Sequence, residues 1–168
     1  MKRLVLVGGT MGIGKTTACQ IVKKSIPNSV FLDGDWCWDM HPFVVTNETK
    51  AMVMNNICFL LNSFLHCLQY ETILFCWVMH QQEIIDDILS RLDLDACEVI
   101  SLSLICDKQV LTARLEKDVD AGIRTKDVIQ RAVERISLYN KLDTDKIDVS
   151  RLSPAETAEQ IISVLARR

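Results

Sequence analysis

The sequence predicts an α/β fold of three layers, in which a doubly wound, five-stranded parallel sheet carries helices on both faces. Short apolar runs alternate with longer segments of helical period along the chain, which is typical of βαβ units. Two runs, residues 73–79 and 99–105, show little or no polar alternation, as parallel strands buried on both faces require. Because glycine and proline are scarce and no repeat or linker interrupts the pattern, we expect a single domain over residues 1–168.

Five strands and six helices account for this pattern. The strands are predicted at residues 4–7, 30–32, 73–79, 99–105 and 146–149. Five helices are predicted at residues 15–25, 48–69, 81–91, 107–117 and 125–142, and the sixth opens with the capping box Ser153-Pro154-Ala155-Glu156. Sheets of this kind bind ligands beyond the carboxyl ends of their strands, so the residues that follow each strand are the candidates for function.

The composition excludes several classes of protein. Although 49% of the residues are hydrophobic, the longest unbroken apolar run, residues 73–79, is far shorter than the roughly 20 residues that span a bilayer. Lys2 and Arg3 precede only a short apolar run before Gly8, which does not make a secretory signal. We therefore expect a cytoplasmic protein without membrane contact, with its seven cysteines reduced. The net charge of −3 makes nucleic acid an unexpected partner.

The first predicted strand ends in a phosphate-binding loop. Residues 9–16 fit the pattern G-x-x-x-x-G-K-[ST] between a strand and a helix. Backbone N–H groups of such a loop point at phosphate oxygens, and the following helix N-terminus adds its positive dipole end. Lys15 is expected to reach the β- and γ-phosphates of ATP, and the Thr16 hydroxyl to ligate Mg²⁺. The predicted nucleotide-binding residues here are Gly9, Thr10, Met11, Gly12, Ile13, Gly14, Lys15, Thr16 and Thr17.

Two carboxylates follow the second predicted strand. Asp33 and Asp35, separated by Gly34, stand at the sheet edge where the phosphates are expected, and in an extended segment residues two apart point the same way. One can hold Mg²⁺ with Thr16, and the other can accept a proton from an attacking hydroxyl group. The spacing leaves open which aspartate does which, and Asp33 is taken as the working metal ligand. The alternative is a solvated turn around Gly34.

With these two motifs the chain resembles the small P-loop kinases of the shikimate-kinase and gluconate-kinase type, whose fold is nucleoside-monophosphate-kinase-like. The likeness is carried by residues 9–17 and by Phe31-Leu32-Asp33-Gly34-Asp35. It implies a P-loop NTPase fold, ATP and Mg²⁺ as cofactors, and phosphoryl transfer to a small molecule. His41-Pro42 follows the aspartates after a longer gap than in gluconate kinases, so the likeness does not carry gluconate as the acceptor.

The resemblance also implies a short lid around residues 116–126, whose arginines close over the phosphates. By that resemblance Arg124 is the first candidate for a catalytic lid arginine, and Arg114 is the next, as a nucleotide-binding residue. Arg131 and Arg135 lie one turn apart on a predicted helix and could reach the same cleft. Ion pairs with nearby acidic residues on a solvated surface are the alternative for all four arginines.

The acceptor is less well defined than the nucleotide. An aromatic-rich segment, residues 36–43, follows the second aspartate and either walls an acceptor pocket or caps the core. Between Asp35 and Arg91 only Lys50 is basic, which favours a neutral or polar acceptor over a phosphate. The third strand is followed by His80-Gln81-Gln82 instead of an acidic residue, which disfavours a P-loop ATPase that needs a carboxylate there for Mg²⁺.

Together these features predict a kinase that moves the γ-phosphoryl group of ATP to an acceptor hydroxyl group. Its expected partners are a nucleotide and a small-molecule acceptor, and it is expected to be a monomer or a homodimer. The alternatives are a nucleoside or nucleotide kinase and, in a different class, an ATP-binding regulatory protein with little transfer activity. The predicted catalytic residues are Lys15, Asp33, Asp35 and Arg124.

Overall fold

A computed structural model describes residues 1–167 of the chain. The strands are β1 (Lys2–Gly8), β2 (Ser29–Asp33), β3 (Thr72–Trp77), β4 (Cys97–Ile105) and β5 (Asp145–Asp148). The helices are α1 (Lys15–Ser25), α2 (Asn47–His66), α3 (Gln82–Ser90), α4 (Lys108–Asp120), α5 (Asp127–Ile136) and α6 (Pro154–Ala166). Two 3₁₀ segments, Gly34–Trp38 and Ser137–Lys141, complete the regular structure.

The five strands form one sheet in the order β2-β3-β1-β4-β5, and every neighbouring pair is parallel. The predicted α/β fold is therefore confirmed. In the register of the sheet Val7 lies opposite Cys76, and Cys76 lies opposite Asp33. The end of β2 is thus level with the end of β1 and two strand spacings, about 10 Å, away from it. This register brings the loop after β1 and the aspartates after β2 to one edge of the sheet.

Both faces of the sheet are covered, as the unbroken apolar strands predicted. Alternate residues of β1 point to opposite faces, so Val5 and Val7 pack with α1, α4, α5 and α6. Leu4 and Leu6 pack on the other side with α2 and α3. All four of these β1 side chains are at most 1% exposed. The high hydrophobic content of the chain is accounted for by this double burial, and no helix among residues 1–167 is long and apolar enough to cross a membrane.

Several helix boundaries differ from the prediction, and two of the differences lie beside the predicted lid and the last strand. The helix predicted to end at 117 continues to Asp120, so residues 116–120 of the predicted lid are helical and the connection to α5 covers residues 121–126. Gly122 has a φ of 70° and its N–H bonds to the Val119 carbonyl, which is how glycine ends a helix. The helix predicted over residues 125–142 stops at Ile136, and the chain tightens into a 3₁₀ turn that buries Tyr139 completely against Gly8.

Candidate active site

The loop between β1 and α1 is folded as a phosphate cradle. Gly12 and Gly14 have φ angles of 76° and 103°, a left-handed backbone that glycine adopts without strain. A side chain at Gly12 would also overlap Leu115 of α4, so the loop approaches that helix closely. Gly14 caps α1 without a side-chain hydrogen bond, which leaves the first N–H groups of the helix facing outward. The cradle can therefore present backbone donors and a helix N-terminus to an anion.

Lys15 is the first residue of α1 and lies under this loop. Its Nζ donates a hydrogen bond to the Thr10 carbonyl at 3.0 Å, and the residue is only 9% exposed. Burial lowers the pKa of the Lys15 ammonium, and the nearby Asp35 and Asp33 carboxylates oppose that shift. The Thr10 hydroxyl is itself buried and donates to the Ala132 carbonyl at 2.9 Å, which ties the loop to α5.

Asp33 ends β2 beside the P-loop threonine. The Thr16 hydroxyl donates to Asp33 Oδ2 at 2.5 Å, and the Asp35 backbone N–H donates to Asp33 Oδ1 at 3.0 Å. The second bond makes Asp33 the cap of the 3₁₀ segment, so the extended geometry predicted for the two aspartates is wrong. The chain turns at Gly34 instead, but this is not the solvated turn offered as the alternative, because Asp33 is only 4% exposed. Both carboxylates nevertheless lie near enough to Lys15 to raise the pKa of its ammonium group.

Asp35 stands beside Trp77, the last residue of β3. The indole Nε1 of Trp77 donates to Asp35 Oδ1 at 3.2 Å. A Cβ at Gly34 would lie 2.5 Å from Trp77 Cγ, so only glycine allows this approach. Partial burial in the cleft raises the pKa of the Asp35 carboxyl, and the negative charge of the neighbouring Asp33 raises it further. The positive charge of Lys15 and the hydrogen bond from Trp77 partly oppose this shift. Asp35 is therefore a more basic carboxylate than an ordinary aspartate.

Two cavities meet at Asp35. The first, here called the P-loop cavity, has a volume of about 430 Å³ and lies over the phosphate cradle; its walls include Gly12, Gly14, Lys15, Thr16, Thr17 and Arg114. The second, here called the aromatic cavity, has a volume of about 1050 Å³; its walls include Trp36, Trp38, Phe43, Trp77, Arg131 and Arg135. Four residues line both cavities: Met11, Asp35, Val78 and Arg124. Asp35 is the one acidic residue among them, which places a carboxylate at the junction.

Most of the residues predicted to bind the nucleotide line the P-loop cavity, but some lie behind it. Thr10 and Ile13 are buried, and a Cβ at Gly9 would come within 2.8 Å of Ile13. The guanidinium of Arg114 donates to the Val149 carbonyl at 2.9 Å and to the Ile13 carbonyl at 3.5 Å. Arg114 thus joins the P-loop to the segment that precedes α6.

Three arginines approach the aromatic cavity from the region after α4. Arg124 pairs with Asp118 at 3.2 Å, and Arg131 pairs with Asp127 at 2.7 Å, as the surface alternative for these residues predicted. Arg135 has neither contact and lies against the sulfur of Met11. Counting basic residues only between positions 35 and 91 misses these arginines, because the fold brings them to the aromatic cavity from a different part of the chain.

Several residues that line the aromatic cavity belong to no recognised sequence motif. Trp77, Val78 and His80 all follow or end β3 and line the aromatic cavity. Lys50 on α2 lines it as well. The rule that ligands bind at the carboxyl ends of parallel strands would have found the first three, because β3 lies between the strands that carry the two motifs.

The oxygen atoms at the P-loop suit one kind of metal ion. Among residues 1–167 no group of three or more histidine, cysteine, aspartate or glutamate side chains could hold a metal by itself. Mg²⁺ does not need such a cage, because it is usually bound by one or two protein oxygens together with waters and substrate phosphates. The Thr16 hydroxyl and the Asp33 carboxylate, in direct contact beside the cradle, are a hard-oxygen pair of that type.

Comparisons with known proteins agree with this geometry. Residues 5–135 match the family model described as "AAA domain". No curated protein matches the chain in sequence. The tunicamycin resistance protein of Deinococcus radiodurans has a similar structure, with a TM-score of 0.71 at 14% identity over 98% of this chain and 96% of that one. The fold is shared with that protein throughout both chains.

Two kinases have similar structures as well. A gluconokinase from Sinorhizobium meliloti superposes with a TM-score of 0.70 at 17% identity over 97% of this chain and 91% of that one. The shikimate kinase of Acinetobacter baumannii, solved with shikimate, gives 0.67 at 17% identity over 99% and 94% of the two chains. The resemblance to small P-loop kinases seen in the two sequence motifs therefore extends to the fold of the whole chain.

Proposed function

The chain belongs to the AAA domain family, and from this premise we propose that it transfers the γ-phosphoryl group of ATP to a hydroxyl group of a small molecule, with Mg²⁺ as cofactor. The observation that carries the proposal is the position of Asp35. This carboxylate lies where a cavity suited to phosphates opens into a second, larger cavity suited to an organic molecule. A protein that only binds ATP has no need for a base at such a junction.

The nucleotide would bind with its phosphates in the P-loop cavity. The glycine backbone and the N-terminus of α1 would hold the phosphate oxygens, and Lys15 would exchange the Thr10 carbonyl for the γ-phosphate. Arg114 would lie beside the nucleotide through its contacts with both the P-loop and the segment before α6. These are positioning and electrostatic roles, which supply most of the catalysis in phosphoryl transfer.

Thr16 and Asp33 would hold Mg²⁺. When bound, the ion neutralises charge on the phosphate oxygens and so favours their reaction with a nucleophile. The contact between Thr16 and Asp33 would open to admit the ion, and the backbone N–H of Asp35 would keep Asp33 oriented through its second oxygen. This arrangement supports a metal role for Asp33 and a role for Asp35 at the acceptor.

Asp35 would act as the general base. The acceptor oxygen attacks the γ-phosphorus, its proton passes to the Asp35 carboxylate, and the bond from the γ-phosphorus to the bridging oxygen breaks with its electron pair leaving on ADP. The raised pKa of Asp35 makes it a better proton acceptor than an ordinary aspartate. Arg124 lines both cavities and would stabilise the charge on the transferring group.

One observation favours the alternative of a nucleotide kinase. An acceptor phosphate needs cations, and Arg131 and Arg135 lie on the acceptor side. These arginines sit in the wall of a large aromatic cavity, so they also suit a hydroxyl acceptor that carries an anionic group elsewhere. A panel of acceptors must therefore include nucleoside monophosphates.

Purified protein, ATP and Mg²⁺ would be incubated with a panel of sugars, sugar acids, aryl glycosides, nucleosides and nucleoside monophosphates, with ADP release and phosphorylated product both measured. We expect transfer to at least one hydroxyl acceptor. Lys15→Ala should lower that rate by about a thousandfold or more, since it removes a preorganised charge from the transferring group. Lys24→Ala, on the exposed end of the same helix, is the matched control.

Two outcomes would contradict the proposal. Tight ATP binding without transfer to any acceptor would favour the regulatory alternative. Transfer confined to the phosphate of nucleoside monophosphates would favour the nucleotide kinase.

A further inference from the structure

The aromatic cavity is larger and more apolar than a monosaccharide needs. Its volume of about 1050 Å³ stands at the upper end of the ~300–1,000 Å³ that drug-sized ligands occupy. All three tryptophans of the chain lie in its wall. Trp36 is 54% exposed and Phe43 is 64% exposed, although both are large apolar side chains. A sugar ring would leave most of this surface in contact with water.

The rings of this wall are held in place before any ligand binds. Trp38 and Phe43 have ring centroids 5.5 Å apart, and Phe31 meets Trp36 edge-on at 5.3 Å. The third tryptophan, Trp77, is held by its hydrogen bond to the proposed general base. An apolar surface therefore begins directly beside the reacting hydroxyl group. Rings with fixed positions favour a planar partner, because stacking then orders few further side chains.

Arg135 supplies an uncompensated charge at the same cavity. The other two arginines of the wall have carboxylate partners, whereas no ion pair is formed by Arg135 within residues 1–167. Its guanidinium lies 3.4 Å from the thioether sulfur of Met11, a weak acceptor. The side chain is partly buried, so water compensates its charge only in part. An anionic oxygen would complete this site.

His80 gives a second indication of a missing polar partner. Its Nδ1 is buried and has no hydrogen-bond partner. Burial and the nearby positive charge of Arg135 lower the pKa of the imidazole, and a backbone hydrogen bond at Val78 partly opposes them. An imidazole in its neutral form donates one hydrogen bond, and His80 lines the aromatic cavity, so a rotation of its ring would bring a donor to a ligand oxygen there.

Resting on the proposed function, we propose that the acceptor is a hydroxyl compound larger than a monosaccharide, with a planar apolar ring stacked on the tryptophans of the aromatic cavity and an anionic group beside Arg135. Its reacting hydroxyl would lie at Asp35, where the two cavities meet. The anionic group can be a carboxylate or a phosphate, because both accept hydrogen bonds from a guanidinium.

Binding can be measured without turnover, because every tryptophan of the chain reports on this one cavity. Tryptophan fluorescence would be titrated, without ATP, with phenyl β-D-glucuronide, which carries both a ring and a carboxylate. Phenyl β-D-glucopyranoside keeps only the ring, and methyl β-D-glucuronide keeps only the carboxylate. Phenyl β-D-glucopyranoside 6-phosphate tests a phosphate in place of the carboxylate. We expect the two compounds with both features to bind on the order of tenfold more tightly than either compound with one.

Variants assign the two features to their residues. Arg135→Gln should weaken the glucuronide to the affinity of the neutral glucopyranoside and leave the latter unchanged. Trp38→Leu should weaken the phenyl glucuronide to the affinity of its methyl counterpart, with the other two tryptophans still reporting. Arg167→Gln, on an exposed arginine at the end of α6, is the control and should change neither affinity. Equal affinities of all four compounds, or no binding of any, would overturn the inference.

The result is separable from the proposed function. If the compounds bind in the expected order but no acceptor is ever phosphorylated, the kinase proposal fails and the description of the cavity stands. If the protein phosphorylates simple sugars as fast as aryl glycosides and shows no ring preference in binding, the kinase proposal stands and this inference fails.

Discussion

The two cavities that meet at Asp35 are built in opposite ways. The P-loop cavity takes half of its lining residues from one short stretch, residues 11–17, joined by Asp35, Val78 and residues of α4 and the connection after it. The aromatic cavity takes its wall from the segment after β2, from α2, from the end of β3 and from α5. A site made of consecutive residues can be recognised in a sequence, whereas a site assembled from distant segments is visible only after the chain has folded.

The two sites also differ in how they are held. Thr10, Lys15 and Asp33 are buried and tied by hydrogen bonds to the backbone or to each other. Trp36 and Phe43 are exposed and are held mainly by ring contacts. We therefore expect substitutions in the first site to abolish the reaction for every acceptor, and substitutions in the second to change which acceptor is used.

Asp33→Asn should have an effect as large as that of Lys15→Ala, a loss of about a thousandfold in kcat, because it removes a charged oxygen from the proposed metal position. The loss should be the same for every acceptor, and the Mg²⁺ concentration needed for half-maximal rate should rise. Steady-state rates over a Mg²⁺ titration measure both. Asp95→Asn, in an exposed loop, is the control. A loss confined to one acceptor would contradict the assignment of Asp33 to the nucleotide side.

Asp35→Asn should lower kcat/KM on the order of a hundredfold, the range of a missing general base. In the native protein the rate should fall on the acidic side, since the base must be deprotonated. The fall should occur at a higher pH than for an ordinary aspartate, because the pKa of Asp35 is raised. The pH profile of kcat/KM of the variant should lose this acidic limb. A variant that keeps the limb would show that another group is the base.

Gly34→Ala tests the close approach at the junction. The added methyl group would lie 2.5 Å from Trp77 Cγ, so the indole or the turn must move. Overpacking of this kind costs about 1–3 kcal/mol in the free energy of unfolding, measurable by urea denaturation. Combining it with Trp77→Leu should recover part of the loss, because the shorter side chain makes room. A loss in the double variant equal to the sum of the two single losses would show that the two residues do not interact.

Trp77→Phe should have the smallest effect, a displacement of the acidic limb without a large change in maximal rate. The indole hydrogen bond lowers the pKa of Asp35, so removing it raises that pKa and moves the limb to higher pH. The profile of kcat/KM against pH measures the shift. Movement to lower pH would mean that the hydrogen bond stabilises the protonated carboxyl instead.

The parts of the molecule that the sequence predicted correctly depend on local patterns. β3 is buried along almost all of its length and β4 is buried or half-buried throughout, and the low polar alternation of residues 73–79 and 99–105 predicts this directly. The loop that carries Lys15 and Thr16 could be predicted because phosphate binding needs glycines and donors at fixed spacing within one loop, and the structure folds it as a cradle. In both cases neighbouring residues share one physical requirement.

The parts that could not be predicted depend on contacts between distant residues. The turn at Gly34 is fixed by Trp77, 43 positions along the chain. Arg135 reaches the acceptor side only because α5 packs against the P-loop through Thr10. The predicted end of α4 is three residues too early, because the helical spacing of apolar residues stops before the helix ends. The helix ends at Asp120, just before Gly122 with its positive φ.

The position of β2 at the border of the sheet has a consequence for how such proteins diversify. β2 pairs only with β3, so the segment that leaves its end, residues 34–46, crosses no further strand. Insertions, deletions or wholesale exchange of this segment would leave every other strand pairing intact. Chimaeras that carry the 36–46 segment of a relative on this framework should therefore fold, and they offer a direct route to proteins with new substrate preferences and an unaltered nucleotide site.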